Sequence, residues 1–211
     1  MTCTDVIFDF CGVLIDWQCA ACLRGHVPNA LIDEICADAD PWGFFRYEAY
    51  MDEGQDFADV LARYRHEYGD EMADIFSYYI VHYGDSLTRI VPGMERLLDD
   101  LHGCGAGVWG LTNWSHETFH FALDRFPRLN DLLDGIVVSG VEKMHKPNAD
   151  IYELALRRFG LRAGSTLFFD DTEANVAGAR AVGMQASRFL DSGQARVRLR
   201  ESGLSLPEPA A

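Results

Sequence analysis

The sequence predicts an α/β protein, a Rossmann-like, doubly wound parallel sheet with an inserted α-helical cap. Three observations predict it. Short continuous apolar runs of strand length recur along the chain. Helical patterns with start and stop signals lie between them. One long stretch near the N-terminus breaks this alternation and carries helical spacing only. The first run is Asp5-Val-Ile-Phe-Asp9, apolar throughout, as expected for a strand buried on both faces of a parallel sheet. Similar runs follow at Ala106–Leu111, Gly135–Val138, Thr166–Phe169 and, more weakly, Met184–Ser187. Pro92 can open a helix running to about His102, with Gly103 past its end. Ser115 can cap a second helix toward Phe126. Asn148 or Asp150 starts a third that ends near Gly160, and Thr172 a fourth that ends near Gly183.

The stretch from Asp16 to Gly84 has no convincing strand, and Phe57, Val60, Leu61 and Tyr64 recur at helical spacing. The expected division is a core of residues 1–15 and 85–201, a helical cap of residues 16–84, and a frayed tail of residues 202–211. A cap so placed would cover the site, touch substrate and exclude water.

With 211 residues, 48% hydrophobic and 12% aromatic, the chain can bury one good core. A formal charge of −15 argues against a nucleic-acid partner. It leaves room for a small phosphorylated metabolite, because a metal ion and one lysine can reverse the local field. No run has the length of a membrane span, and MTCTDVIFDF lacks a basic signal start, so a cytoplasmic setting is expected. The six cysteines are then expected to be reduced. Cys19-Ala-Ala-Cys22, with His26 and Cys36 beyond, lacks the second pair that structural zinc usually needs, which favours ordinary packing.

Four strand ends carry the chemistry: Asp9 in IFDFCGVL, Thr112 in GVWGLTN, Lys146 in the HKP segment, and Asp170–Asp171 in LFFDDTEAN. Ligands of open α/β sheets sit outside the carboxyl ends of the strands, where all four fall. Together they supply a carboxylate nucleophile, a hydroxyl, a cation and a carboxylate pair, the parts that move a phosphoryl group. Adjacent buried carboxylates repel unless a cation neutralises them, and Mg²⁺, a hard ion with oxygen ligands, fits Asp9, Asp171 and phosphate oxygens. Asn175, one helical turn on, should face the same mouth and orient the pair. The Thr112 hydroxyl and the N–H that follows it, at Asn113, could grip phosphate oxygens.

This motif set, with LTNWSH, KPNADIYELAL and FFDDTEANVAGARAVGM, resembles the haloacid dehalogenase superfamily of hydrolases. The likeness is to its helical-cap subfamily I and, within that, to phosphatases of the alpha-D-glucose-1-phosphate phosphatase type. The resemblance implies Asp9 as nucleophile forming an aspartyl-phosphate, and Lys146 as the cation that neutralises it and the phosphoryl group. It also implies a metal held by Asp9, the Cys11 backbone carbonyl and Asp171, with Asp170 acting directly or through water. Cys11 departs from the pattern, which usually places a second Asp there as general acid and base. A thiol of ordinary pKa near 8.5 does that work poorly.

Two further readings stand beside an Mg²⁺-dependent phosphomonoesterase acting on a small metabolite such as a sugar phosphate. One is metal-free carbon–halogen cleavage, against which the acidic pair argues. The other is a weakly active or inactive relative that binds a phosphorylated ligand, which Cys11 motivates. In the cap, Trp42, Arg46 and Glu48 lie in an aromatic cluster that is either a substrate wall or the cap's own core. His116-Glu117-Thr118-Phe119-His120 has the spacing of a helical metal pair, but it lies just after Asn113, where phosphoryl chemistry already accounts for the chain.

Overall fold

The computed structural model describes residues 2–207. Its elements run in the order β1 (Asp5–Phe8), β2 (Ile15–Trp17), α1 (Cys19–Leu23), α2 (Asn29–Ile35), α3 (Phe44–Asp52), α4 (Phe57–Val81), β3 (Leu87–Ile90), α5 (Met94–Gly103), β4 (Gly107–Thr112) and α6 (His120–Arg125). Then come α7 (Arg128–Leu132), β5 (Gly135–Val138), α8 (Ser139–Glu142), α9 (Ala149–Phe159), β6 (Thr166–Asp170), α10 (Glu173–Ala181), β7 (Gln185–Arg188) and α11 (Ser192–Glu201).

Among the described residues, five strands form a parallel sheet in the order β5-β4-β1-β6-β7. Alternation along β1 sends Val6 and Phe8 into one apolar core and Ile7 into another, as a sheet covered on both faces requires. Phe8 stacks on Phe169 of the neighbouring β6, with ring centroids 5.4 Å apart. The core holding Val6 and Phe8 continues into the helical insertion, taking in Phe44, Tyr64, Phe76 and Tyr79.

The insertion is helical, α1 to α4, with α4 broken at Gly69, whose φ of 85° and ψ of 174° leave the helical path. Its ends are not helical. β2 and β3 pair antiparallel where it joins the sheet, although no strand was expected between Asp16 and Gly84 and none was read at Leu87–Ile90. Three residues are too few for period-two alternation to register in the sequence.

Helix starts differ in two places. α5 begins at Met94 rather than at Pro92, because Gly93 takes a φ of 84° inside a turn closed by the Met94 N–H on the Val91 carbonyl. Ser115 does not open a helix directly. It starts a turn in which its hydroxyl accepts the Glu117 N–H and Trp114 Nε1 bonds Thr118 Oγ1, and α6 follows only from His120.

The expected frayed tail is packed as far as it is described. The Ser202 carbonyl accepts the Cys3 N–H at 2.8 Å, Leu206 is buried, and the buried Arg196 reaches the Pro207 carbonyl. Arg196 holds Asp100 of α5 with one nitrogen and the Pro207 carbonyl with the other, tying the tail to the core; residues 208–211 lie outside the described part.

Candidate active site

The strand ends of β1, β4 and β6 bring Asp9, Thr112 and Asp170 together, and the loop before α9 adds Lys146. Asp9 is 7% exposed, Lys146 2% and Asp170 0%. Lys146 Nζ lies 2.8 Å from Asp9 Oδ1 and 2.6 Å from Asp170 Oδ2, bridging the two strands. Burying charge without partners is costly, and here each partner answers the other. Burial opposes the Lys146 charge, but Asp9 and Asp170 outweigh it and hold its pKa above the ordinary lysine range. Burial pushes the Asp9 carboxyl up to about 7, with Lys146 pulling the other way and Asp170 adding to the rise.

Each charge is held by its surroundings. Asp9 Oδ1 accepts the Phe10 N–H at 2.8 Å, and the Asp9 N–H donates to the Phe169 carbonyl. Asp170 Oδ1 accepts the Thr172 N–H, and Asn175 Nδ2 donates to both Asp170 oxygens at 3.0 and 3.1 Å. Asn175 is itself placed by Tyr152, whose hydroxyl donates to its carbonyl at 2.8 Å. Of the acidic pair, Asn175 bonds Asp170.

Asp171 is the exposed member of the pair. A ligand oxygen from each of Asp9, Asp170 and Asp171 falls within 4.8 Å of the others. Burial and the Asp170 charge raise the Asp171 pKa. Gly12 makes this proximity possible: a Cβ there would stand 2.5 Å from Asp171 Oδ2, and its φ of 78° suits glycine. Three converging carboxylates with oxygen donors fit a hard divalent cation such as Mg²⁺.

Thr112 is buried, its hydroxyl 3.4 Å from the Asn113 carbonyl. The Asn113 side chain is otherwise engaged. Its Oδ1 accepts the Lys146 N–H at 2.9 Å and its Nδ2 donates to the Lys146 carbonyl at 3.0 Å, clamping the lysine backbone. Only the Asn113 main chain is left for a ligand. The Lys146–Pro147 peptide is cis. Cys11 lies in the tight turn after Asp9; burial first, then the charges of Asp9, Glu48 and Asp52, push its thiol pKa far up, so the sulfur stays protonated.

The cap residues separate. Trp42 Nε1 donates to Glu34 Oε2 at 3.0 Å, and Arg46 pairs with Glu67 and the Tyr68 hydroxyl on an exposed surface. Neither joins the carboxylates. Glu48 does face inward: it accepts the Tyr79 hydroxyl at 3.2 Å, and burial lifts it to about 7. The His116–His120 pair does not share a helix face, because α6 only starts at His120, whose ring packs on Phe121; His116 sits 3.6 Å from Asp56.

Sequence reasoning missed Ser139 and Asp52. The Ser139 hydroxyl accepts the Trp114 N–H at 2.9 Å and donates to the Asp52 carbonyl at 2.6 Å, joining core to insertion. A serine after an apolar strand carries no such signal. Asp52 had a faint one, standing four residues after Glu48 and so on the same face of α3.

The chain matches the family model described as haloacid dehalogenase-like hydrolase over residues 6–183. It is 38% identical over 108 residues to the sesquiterpene phosphatase astK of Aspergillus oryzae, covering 51% of this chain and 55% of that protein. Against acyl-CoA dehydrogenase family member 10 of Mus musculus it is 26% identical, covering 96% of this chain but 19% of the relative. The chain thus spans about half of one of these relatives and a fifth of the other. A phosphatase of Mycobacterium tuberculosis is matched along nearly its whole length, 29% identical over 93% of this chain and 91% of that one. A HAD-like hydrolase structure from Porphyromonas gingivalis superposes with a TM-score of 0.70 at 24% identity, over 95% and 98% of the two chains. A HAD family enzyme from Bacteroides thetaiotaomicron, solved with magnesium and inorganic phosphate, gives 0.69 at 20% identity, over 90% and 96%. At such identities these two structures bear on the fold alone. The extent of the family match, on a parallel sheet with a helical insertion after its first strand, makes this chain a member of the haloacid dehalogenase-like hydrolases.

Proposed function

We propose that this protein is an Mg²⁺-dependent hydrolase of small phosphomonoesters, working through an aspartyl-phosphate on Asp9. The observation that carries the reading is Lys146 bridging Asp9 and Asp170, with Asp171 converging on the same point. Asp9 stands at a strand end where an entering phosphorus can be attacked. Lys146 offsets charge on the nucleophile and on the phosphoryl oxygens. Thr112 and the Asn113 backbone would hold two of those oxygens, while the Asn113 side chain keeps Lys146 in register. Asp9, Asp171 and the Cys11 carbonyl would hold the cation, with Asp170 and Asn175 orienting them. When bound, Mg²⁺ supplies the positive field that lets a carboxylate approach an anionic phosphate.

A second supporting line is the character of the relatives. Two of them are phosphatases, and the Bacteroides structure binds magnesium and phosphate. Carbon–halogen cleavage is disfavoured by the same cluster: the acidic pair Asp170–Asp171 beside Asp9 exceeds what a single attack on carbon requires. For substrate we propose sugar phosphates, the class of the glucose-1-phosphate phosphatases that the motifs resemble. The likeness to a sesquiterpene phosphatase adds apolar alkyl phosphates to the panel. Residues 16–84 would act as the cap over the site.

The test is a phosphate-release screen over both classes, with Mg²⁺ and with chelator, beside Asp9→Asn. Metal-dependent release that Asp9→Asn reduces to background is expected. Turnover indifferent to chelation, or surviving in Asp9→Asn, would sink the reading.

A further inference from the structure

Resting on the phosphatase reading, we propose that Asp52, from the cap, is the general acid and base of the reaction, filling the role that Cys11 leaves empty in the core. Placement is the first argument. α3 ends at Asp52, whose carbonyl accepts the Ser139 hydroxyl at 2.6 Å, and the same hydroxyl holds the Trp114 N–H at 2.9 Å. One hydroxyl therefore separates this cap residue from the loop that begins with Thr112 and Asn113. The approach is backbone against backbone: a Cβ on Gly54 would stand 2.8 Å from the Gly140 carbonyl.

The second argument is where the carboxyl lies and what it meets. Asp52 is half-buried, and the charges it feels are those of Glu48 on its own helix and of Asp9 and Lys146 across in the core. Cys11 in turn feels Asp9, Glu48 and Asp52. Asp52 and Cys11 thus lie within electrostatic reach of each other and of Asp9. Glu48 is the other candidate, but the Tyr79 hydroxyl holds both its oxygens, at 3.2 and 3.3 Å. Among the described residues no side-chain donor holds the Asp52 carboxyl, which leaves it for a leaving-group oxygen.

The third argument is supply of a proton. Burial, and after it the Glu48 charge, raise the Asp52 pKa well above its ordinary value, with the Ser115 amide partly offsetting them. An Asp9 oxygen bonds phosphorus, the bond from phosphorus to the ester oxygen breaks, and that oxygen keeps the electron pair and takes the Asp52 proton. An alcohol leaves, with Asp52 now a carboxylate. Water then attacks the aspartyl-phosphate, Asp52 takes its proton, the phosphorus–Asp9 bond breaks, and inorganic phosphate departs. Both side chains are restored.

Leaving-group dependence tests this. An alkyl phosphate needs protonation as it departs, whereas p-nitrophenolate leaves without it. The ratio kcat/KM describes only the steps through phosphoenzyme formation, so the two substrates isolate the acid role. In Asp52→Asn the ratio of alkyl to nitrophenyl kcat/KM should fall by about 10²-fold or more. Loss of the base should also slow hydrolysis of the intermediate, giving a burst of nitrophenolate and a protein that carries one phosphate by mass after acid quench. An equal loss on both substrates, or none on either, would overturn the proposal while leaving the phosphatase reading intact. Failure of the unaltered protein to hydrolyse either substrate would overturn both.

Discussion

The core and cap hold their charged residues in different ways. At the strand ends, Lys146 is fixed by two carboxylates and an asparagine clamp, and Asp170 by a main-chain N–H and Asn175. In the cap, Arg46 and Glu67 meet on the exposed surface, and Asp52 has no side-chain donor among the described residues. On the proposed reading the difference is a division of labour. Groups that would meet phosphorus need one geometry, and strand ends with buried partners give it. Groups on the helices of the insertion can change without moving a strand.

The hardest test of that contrast is Lys146→Met. Breaking a buried pair by removing one partner costs about 3–5 kcal/mol, and here two carboxylates lose their cation. Phosphatase turnover should vanish and the melting temperature drop, unless Mg²⁺ is supplied to restore part of the stability. A variant as stable as the parent in chelator would show the core to be less tightly fixed than described.

Gly12→Ala tests the same region more gently. Its Cβ would push Asp171 aside, and we expect Mg²⁺ affinity by calorimetry to weaken by about 10–100-fold, the range for disturbing a ligand's support. Unchanged affinity would remove Asp171 from the metal site.

Glu48→Gln probes the inward face of the cap. The folded protein raises Glu48 from 4.5 to about 7, so between those values the folded state keeps a proton that the unfolded state has lost. Stability from this group therefore falls as pH rises through that window. Relative to the parent, Glu48→Gln should gain stability at pH 8 and show no such gain at pH 4, in thermal melts with chelator present. An identical offset at both values would mean that Glu48 is not held protonated.

The smallest effect is expected from Arg46→Ala, whose partners are solvent-exposed: kcat/KM should stay within about twofold. A large loss for one substrate class would recast this face as a recognition surface and erase the contrast with the core.

The same contrast explains what could be read in advance. The convergence of Asp9, Lys146 and the Asp170–Asp171 pair was legible because each closes an apolar run or precedes a proline, patterns that fix location. Parallel strands buried on both faces also announce themselves in the sequence. Asp52 and Ser139 escaped because their importance lies in a contact between segments 87 residues apart, which no local pattern encodes. The Asn113 clamp escaped for a related reason, since an asparagine after a strand gives no sign of whether it meets ligand or main chain. The β2–β3 pair was too short to be periodic.

A single apolar cluster runs from the sheet through Phe10 and Trp114 to Tyr83, Tyr79 and Phe44, with Trp114 and Tyr83 centroids 5.5 Å apart. Separating the insertion from the sheet would wet that aromatic seam, which opposes any wide opening between them. The same continuity couples the two parts, and a single unfolding transition is the expected outcome in calorimetry.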